Sequence, residues 1–305
     1  MTPIEQAILR TVIYADLFNF PLTRRELHHY LIAEQPFSLA QIEQTLRASS
    51  FLKTALAFPQ DYIICAGRYE IIALRDKREQ ASMVLWSSAL VYGQWLARLP
   101  FVRLVALTGA LAVRNAADND DDLDYVLVTR SGRVWLARAF AIVLVRLAKT
   151  RGMVVCPNYV LAETALEQTP RDLFMAHEIA QMVPIYGQHV YADMRDANGW
   201  VADFLPNARA PFYVEAEHSA GGGWTLLKRT AEILLGGRLG EALEAWEYRR
   251  KLRRFADEMK TPNNAALLDD EHVKGHFKDH GHPVMRQYEQ RLRQYDLDAL
   301  PLAGD

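Results

Sequence analysis

The sequence predicts an α+β, helix-rich fold: a mixed sheet flanked by helices, with one helical unit before it and another after it. Three observations predict this. Strand-like apolar runs at 102–108, 122–129 and 153–161 alternate with helical patterns at 69–99 and 134–149. The first 50 residues carry helical spacing and two capping boxes. From residue 224 the apolar spacing is again helical.

Length and composition agree with a globular chain. At 305 residues it has room for about two domains. Half its residues are apolar, which excludes a disordered protein. The net charge of −2 gives no general attraction to nucleic acid or anionic membrane. Cys65 and Cys156 lie in apolar strand-like runs and make no disulfide framework, so a reducing, cytoplasmic setting is expected. The N-terminus does not read as a signal peptide. The apolar stretch 134–148 is too short to span a bilayer and contains Arg138 and Arg146, so no transmembrane segment is expected.

In chain order, Ile4, Ile8, Leu9, Val12 and Ile13 predict a helix over 3–16. Asn19-Phe20-Pro21 breaks it. Thr23 with Glu26 opens a short helix to about Ile32, and Ser38 with Gln41 opens another through about Ala48. Extended segments at 51–55 and 62–66 flank a turn near Pro59. Arg75, Lys77 and Arg78 read as a solvated helix face. After the 153–161 strand, a helix over 172–183 holds His177 and Glu178, which read either as a metal or acid/base pair or, since adjacent residues do not share a helix face, as part of a helix facing the interior with His177 hydrogen-bonded. Residues 208–223 lose the pattern and read as a linker. The expected organisation is an N-terminal domain at 1–68, a sheet domain at 69–207, the linker, and a helical region at 224–305. In that region Trp224, Leu227, Ala231 and Leu234 form an apolar stripe. The basic run 249–254 reads as a solvated face or a phosphate contact. A final helix over 270–297 would stack His272, His276 and His280 on one face, a spacing that allows Zn²⁺ but that Lys274 and Lys278 oppose.

The chemistry concentrates at 102–129. An apolar strand ends in Thr108-Gly109-Ala110, an acidic loop follows, and the next strand starts with Asp122 and Asp124. Alternation along that strand puts both carboxylates on one face and Leu123, Tyr125 and Leu127 on the other. Two neighbouring carboxylates repel each other and call for a cation, and hard oxygen donors suit Mg²⁺. Gly109 and Ala110 carry little side chain, so a phosphate can approach their backbone closely. Arg114 is placed to neutralise a phosphate or to be an ordinary surface arginine.

Gly109-Ala110, eleven residues, then Asp122-Leu123-Asp124 resembles the signature of the DNA polymerase beta-like nucleotidyltransferase superfamily. The resemblance spans roughly 101–161. It implies a nucleotidyltransferase-type mixed sheet and transfer of a nucleoside monophosphate from a nucleoside triphosphate, ATP among them, to an acceptor hydroxyl. It implies Mg²⁺ or Mn²⁺ at Asp122 and Asp124, and nucleotide contacts at Thr108, Gly109, Ala110 and Arg114. Ala110 stands where the family more often has Ser or Gly. Asn158 occupies the strand position expected for a third carboxylate, with Glu163 as the fallback. The acceptor is left open among a protein side chain, a sugar, a metabolite and an RNA end.

The segment 14–31, YADLFNFPLTRRELHHYL, resembles the start of winged helix-turn-helix domains. Such a domain on DNA needs basic residues on its third helix and wing, and here Arg47 and Lys53 are the main candidates. Protein docking is the other role considered. The alternative to an enzyme is an inactive module of the same fold that senses nucleotide or regulates through its winged helix.

Overall fold

The computed structural model describes residues 1–217, 221–256, 266–274 and 281–300. Helix α1 (Pro3–Asp16) opens with a Thr2–Glu5 capping box and Pro3 in its first turn. Strand β1 (Leu22–Thr23) leads into α2 (Arg24–His29), and α3 spans Leu39–Ala48. Both expected capping boxes form. Thr23 Oγ1 accepts from the Glu26 N–H at 3.2 Å, while the Glu26 carboxylate accepts from the Thr23 N–H at 2.8 Å.

The segment 51–55, expected to be extended, is helical instead and belongs to α4 (Ser50–Ala55). Ser49 Oγ accepts from the Leu52 N–H at 3.1 Å, and this cap outweighs the strand preference of Phe51. Extended chain resumes in β2 (Leu56–Ala57) and β3 (Tyr62–Cys65), which complete an antiparallel three-stranded sheet of order β1-β3-β2.

Helix α5 (Glu70–Ala97) is continuous. Arg75 is not part of a solvated face. It is buried, its Nη2 donates to Glu26 at 2.9 Å, and its guanidinium lies 3.9 Å from the centre of the Phe20 ring. This ion pair ties α5 to α2.

The main sheet has six strands in the order β7-β4-β5-β6-β9-β8. They are β4 (Val102–Leu107), β5 (Leu123–Thr129), β6 (Val155–Ala162), β7 (Val183–Tyr186), β8 (Leu267–Leu268) and β9 (His272–Lys274). Short helix α6 (Gly109–Ala112) joins the antiparallel pair β4–β5. The parallel pair β5–β6 needs a crossover, which α7 (Val134–Lys149) supplies. Helix α8 covers Leu173–Ala180, stopping short of the expected 172–183 because Val183 begins β7, whose Pro184 is tolerated on an edge strand. Helices α9 (Gln188–Ala197), α10 (Gly222–Leu234), α11 (Arg238–Phe255) and α12 (Gly281–Leu292) follow.

The final segment is not one helix. His272 lies on β9, opposite Leu161 of β6, and its ring pairs with Asp269 at 3.0 Å. A strand cannot stack residues four apart on one helical face, so the proposed histidine face does not form at His272. His276 and His280 lie outside the described residues. The stripe on α10 also differs from expectation. Leu227 and Leu234 are exposed, while Lys228 is buried with its Nζ donating to Ala97 O at 2.8 Å and Val102 O at 2.6 Å. Glu232 adds a bidentate pair with Arg103, so α10 docks through polar groups.

Both faces of the sheet are buried. Leu104, Ala106, Val126 and Val128 share a core with α1, α8, α9 and α12. Val105, Leu107, Tyr125 and Leu127 share the other with α5 and α7. The Tyr125 hydroxyl donates to Ala89 O at 2.7 Å and fixes α5 against β5. Among the described residues, no helix is long and apolar enough to cross a membrane.

Removing one partner of the buried Arg75–Glu26 pair leaves an uncompensated charge. Glu26→Ala is expected to cost roughly 3–5 kcal/mol in urea unfolding, and the Glu26→Ala/Arg75→Met double variant less than the sum of its singles. A loss below about 1 kcal/mol in the single variant would contradict the assigned role of the pair.

Candidate metal centre

The centre forms where β4 ends and β5 begins. Thr108 is extended, and its N–H donates to Asp124 O at 2.9 Å, stitching the turn to the strand. Gly109 follows at φ +67°, in the left-handed region. A Cβ on Gly109 would lie 2.6 Å from Asp124 Oδ2, so both backbone and space require glycine there. The chain thereby brings the Gly109 backbone against the Asp124 carboxylate. Ala110 is exposed beside it.

The acidic loop organises itself. Asp121 accepts from the N–H groups of Ala117 and Asp122 at 2.7 and 3.0 Å, and Asp118 accepts from the Asp120 N–H at 2.9 Å. Those carboxylates hold the turn. The carboxylate of Asp122 makes no such turn contact and meets the Cys156 thiol, which lies 3.6 Å from its Oδ2.

Asp124 faces the layer containing α1 and α8, as the alternation of β5 requires. Asn158 on β6 donates its side-chain amide to Asp124 Oδ1. Cys156 pairs in register with Asp124 across the parallel ladder. Ligand atoms of Asp122, Asp124 and Cys156 all lie within 4.8 Å of one another. Two carboxylates and a sulfur at that spacing can hold a metal ion.

The electrostatics favour a cation. Burial pushes the Asp124 carboxyl up to about 7; the Asn158 hydrogen bond opposes this, and the charges of Asp122, Asp121 and Glu178 add to it. Burial, with help from Asp122 and Asp124, pushes the Cys156 thiol up to about 12, so it is a protonated donor near neutral pH. The oxygen pair suits Mg²⁺ or Mn²⁺, and the sulfur adds affinity for softer Zn²⁺ or Cd²⁺.

Of the residues singled out in the sequence, Thr108, Gly109, Asp122, Asp124 and Asn158 converge here. Arg114 is held elsewhere: its Nη1 donates to Glu79 at 3.0 Å and its guanidinium stacks 4.5 Å from the Tyr213 ring centre. Glu163 cannot serve as a third acid. Its N–H bonds Thr129 O at the far end of the ladder, roughly 16 Å of strand from Asp124. The sequence reading missed Cys156 as a donor and Glu178 as a charge sensed by Asp124. For Cys156 the signal was its place two residues before Asn158, on the same strand face. For Glu178 there was none, since α8 is brought near only by tertiary packing. No family model, curated protein or solved structure matches the chain.

Two outcomes are expected. In Mn²⁺ titrations followed by electron paramagnetic resonance, affinity rises about tenfold between pH 6 and pH 8 as Asp124 loses its proton, and Asp124→Asn removes both the binding and its pH dependence. Without metal, native Asp124 keeps its proton between its ordinary value of 3.8 and about 7, where the unfolded chain has released it. Stability therefore falls as pH rises through that window, by up to roughly 1.4 kcal/mol per unit, and Asp124→Asn flattens the slope in thermal unfolding.

Proposed function

We propose that the protein is a metal-dependent nucleotidyltransferase that moves a nucleoside monophosphate from a nucleoside triphosphate to an acceptor hydroxyl. The observation that carries this reading is the convergence of Asp122 and Asp124 on the side-chain-free Gly109 turn, where a phosphate chain can lie against backbone. The sequence α5-β4-α6-β5-α7-β6, with one antiparallel and one parallel pair, supports the nucleotidyltransferase-type sheet that the motif implies.

Mg²⁺ or Mn²⁺ held by Asp122 and Asp124 would neutralise phosphate charge and lower the pKa of the acceptor hydroxyl. The chain's own groups set this up. Asn158 fixes Asp124 Oδ1 and leaves Oδ2 turned toward Gly109. Burial pushes the Asp124 carboxyl up to about 7, so a cation competes there with a proton and metal entry is coupled to charging of the site. Gly109 and Ala110 give the triphosphate access to backbone, and Thr108 adds a hydroxyl at the same turn. Arg114 reaches a phosphate only by exchanging Glu79 for it. In the transfer, the acceptor oxygen bonds to the α-phosphorus, the bond to the β-phosphate oxygen breaks, pyrophosphate leaves, and the hydroxyl proton passes to solvent.

The N-terminal unit, four helices with a three-stranded antiparallel sheet, is read as winged-helix-like. Arg24 faces Asp61 at 3.9 Å and Arg47 faces Glu43 at 3.7 Å, which leaves little basic surface for DNA and favours protein docking. Asn158 and Ala110 favour a second reading, a nucleotide-binding module without turnover.

Incubation with each labelled triphosphate and Mg²⁺ or Mn²⁺ separates these readings. Label transferred to the protein or to an added acceptor, and lost in Asp122→Asn/Asp124→Asn, is the expected result. Metal-dependent binding without transfer favours the module. Neither binding nor transfer overturns both.

A further inference from the structure

A cavity of about 450 Å³ lies between the N-terminal unit, α6, α8 and α12. That size accommodates a small organic molecule. Its walls carry five aromatic rings, those of Tyr14, Phe18, Phe20, Tyr30 and Phe174. Gly109 and Ala110 form part of one wall, so the cavity adjoins the metal centre without containing its carboxylates.

Two polar groups on α8 stand out against this apolar lining. His177 Nδ1 lies 3.0 Å from Leu173 O, so that nitrogen carries the proton and Nε2 is an acceptor. The ring stacks on Tyr14 with centroids 4.1 Å apart, and burial pushes it down to about 4, which keeps it neutral. Glu178 is the second group. Among the described residues its carboxyl has no hydrogen-bond or ion-pair partner, and burial raises it. Lys274 on β9 acts on it only through its field. A carboxyl left unpartnered in an apolar cavity is costly unless a ligand completes it.

We propose that this cavity binds a small, ring-bearing amine, with Glu178 pairing the ammonium and the aromatic walls enclosing the ring. Aromatic faces attract a cation, and the carboxylate supplies the opposite charge, so an amine satisfies what a neutral ring would leave unpaired. The His177 Nε2 acceptor can take a second N–H. Thr11 takes no part, since its hydroxyl is committed to Ala7 O at 2.7 Å and the Ile32 N–H at 2.9 Å. The inference stands on the cavity alone and does not require nucleotide transfer.

The test uses the full chain and two probes of equal shape, phenethylamine and 2-phenylethanol, with binding read by ligand-observed NMR and calorimetry. The amine is expected to bind about tenfold tighter than the alcohol. Glu178→Gln should bring the two within about twofold by weakening the amine alone. Ala15→Phe, which fills the cavity from α1, should lose both; Val113→Phe fills it from beyond α6 and serves if the first variant unfolds. The proposal is overturned if wild type binds neither probe, if it binds the alcohol as tightly as the amine, or if the amine keeps its advantage in Glu178→Gln.

Discussion

The site depends on one placement: β5 carries a carboxyl on the face of a sheet that is buried on both sides. Leu123, Tyr125 and Leu127 turn toward α5 and α7, so Asp124, Val126 and Val128 must turn toward α1 and α8. The residues after Asp124 lock the register, because a slip of one position would put three large apolar side chains on the wrong layer. Asp124 is thus held half-buried at the start of its strand. Its burial is imposed by packing, and the surroundings answer with an Asn158 hydrogen bond, a glycine turn and a second carboxylate.

That arrangement is poorly satisfied without a cation. Burial and the neighbouring negative charges hold Asp124 up to about 7. A structural aspartate would be expected to have an arginine or lysine partner instead, as Glu26 has Arg75 and Glu232 has Arg103. At the head of β5 carboxylates are instead collected together, which is the pattern of a charge-binding site rather than a stabilising one.

The sequence made some of this legible and hid the rest, for physical reasons. Capping chemistry and strand alternation are local, so α1, α3, α7 and the positions of β4, β5 and β6 could be read from residue spacing. Asp122 and Asp124 were legible because a two-residue period puts them on one face, and Asn158 because the resemblance expects a metal ligand at its place on the later strand. The helix at Ser50–Ala55 was misread because a single serine cap decides it. Strand β9 was misread as helix because its pairing with β6 is made across more than a hundred residues. The docking of α10 ran against its apolar pattern, since Lys228 and Glu232 find backbone and side-chain partners that no local rule anticipates. Glu178 and the aromatic cavity depend on α1, α8 and α12 meeting, and nothing in any one segment announces it.

The central claim is that the Asp122–Asp124 pair is built to hold a divalent cation beside the Gly109 turn. Crystals soaked in Mn²⁺ and measured at a wavelength where manganese scatters anomalously test it most directly. The account predicts an anomalous peak bonded to oxygens of both Asp122 and Asp124, on the Gly109 side of β5. An empty site with Asp124 protonated, or manganese bound only elsewhere on the protein, would contradict it.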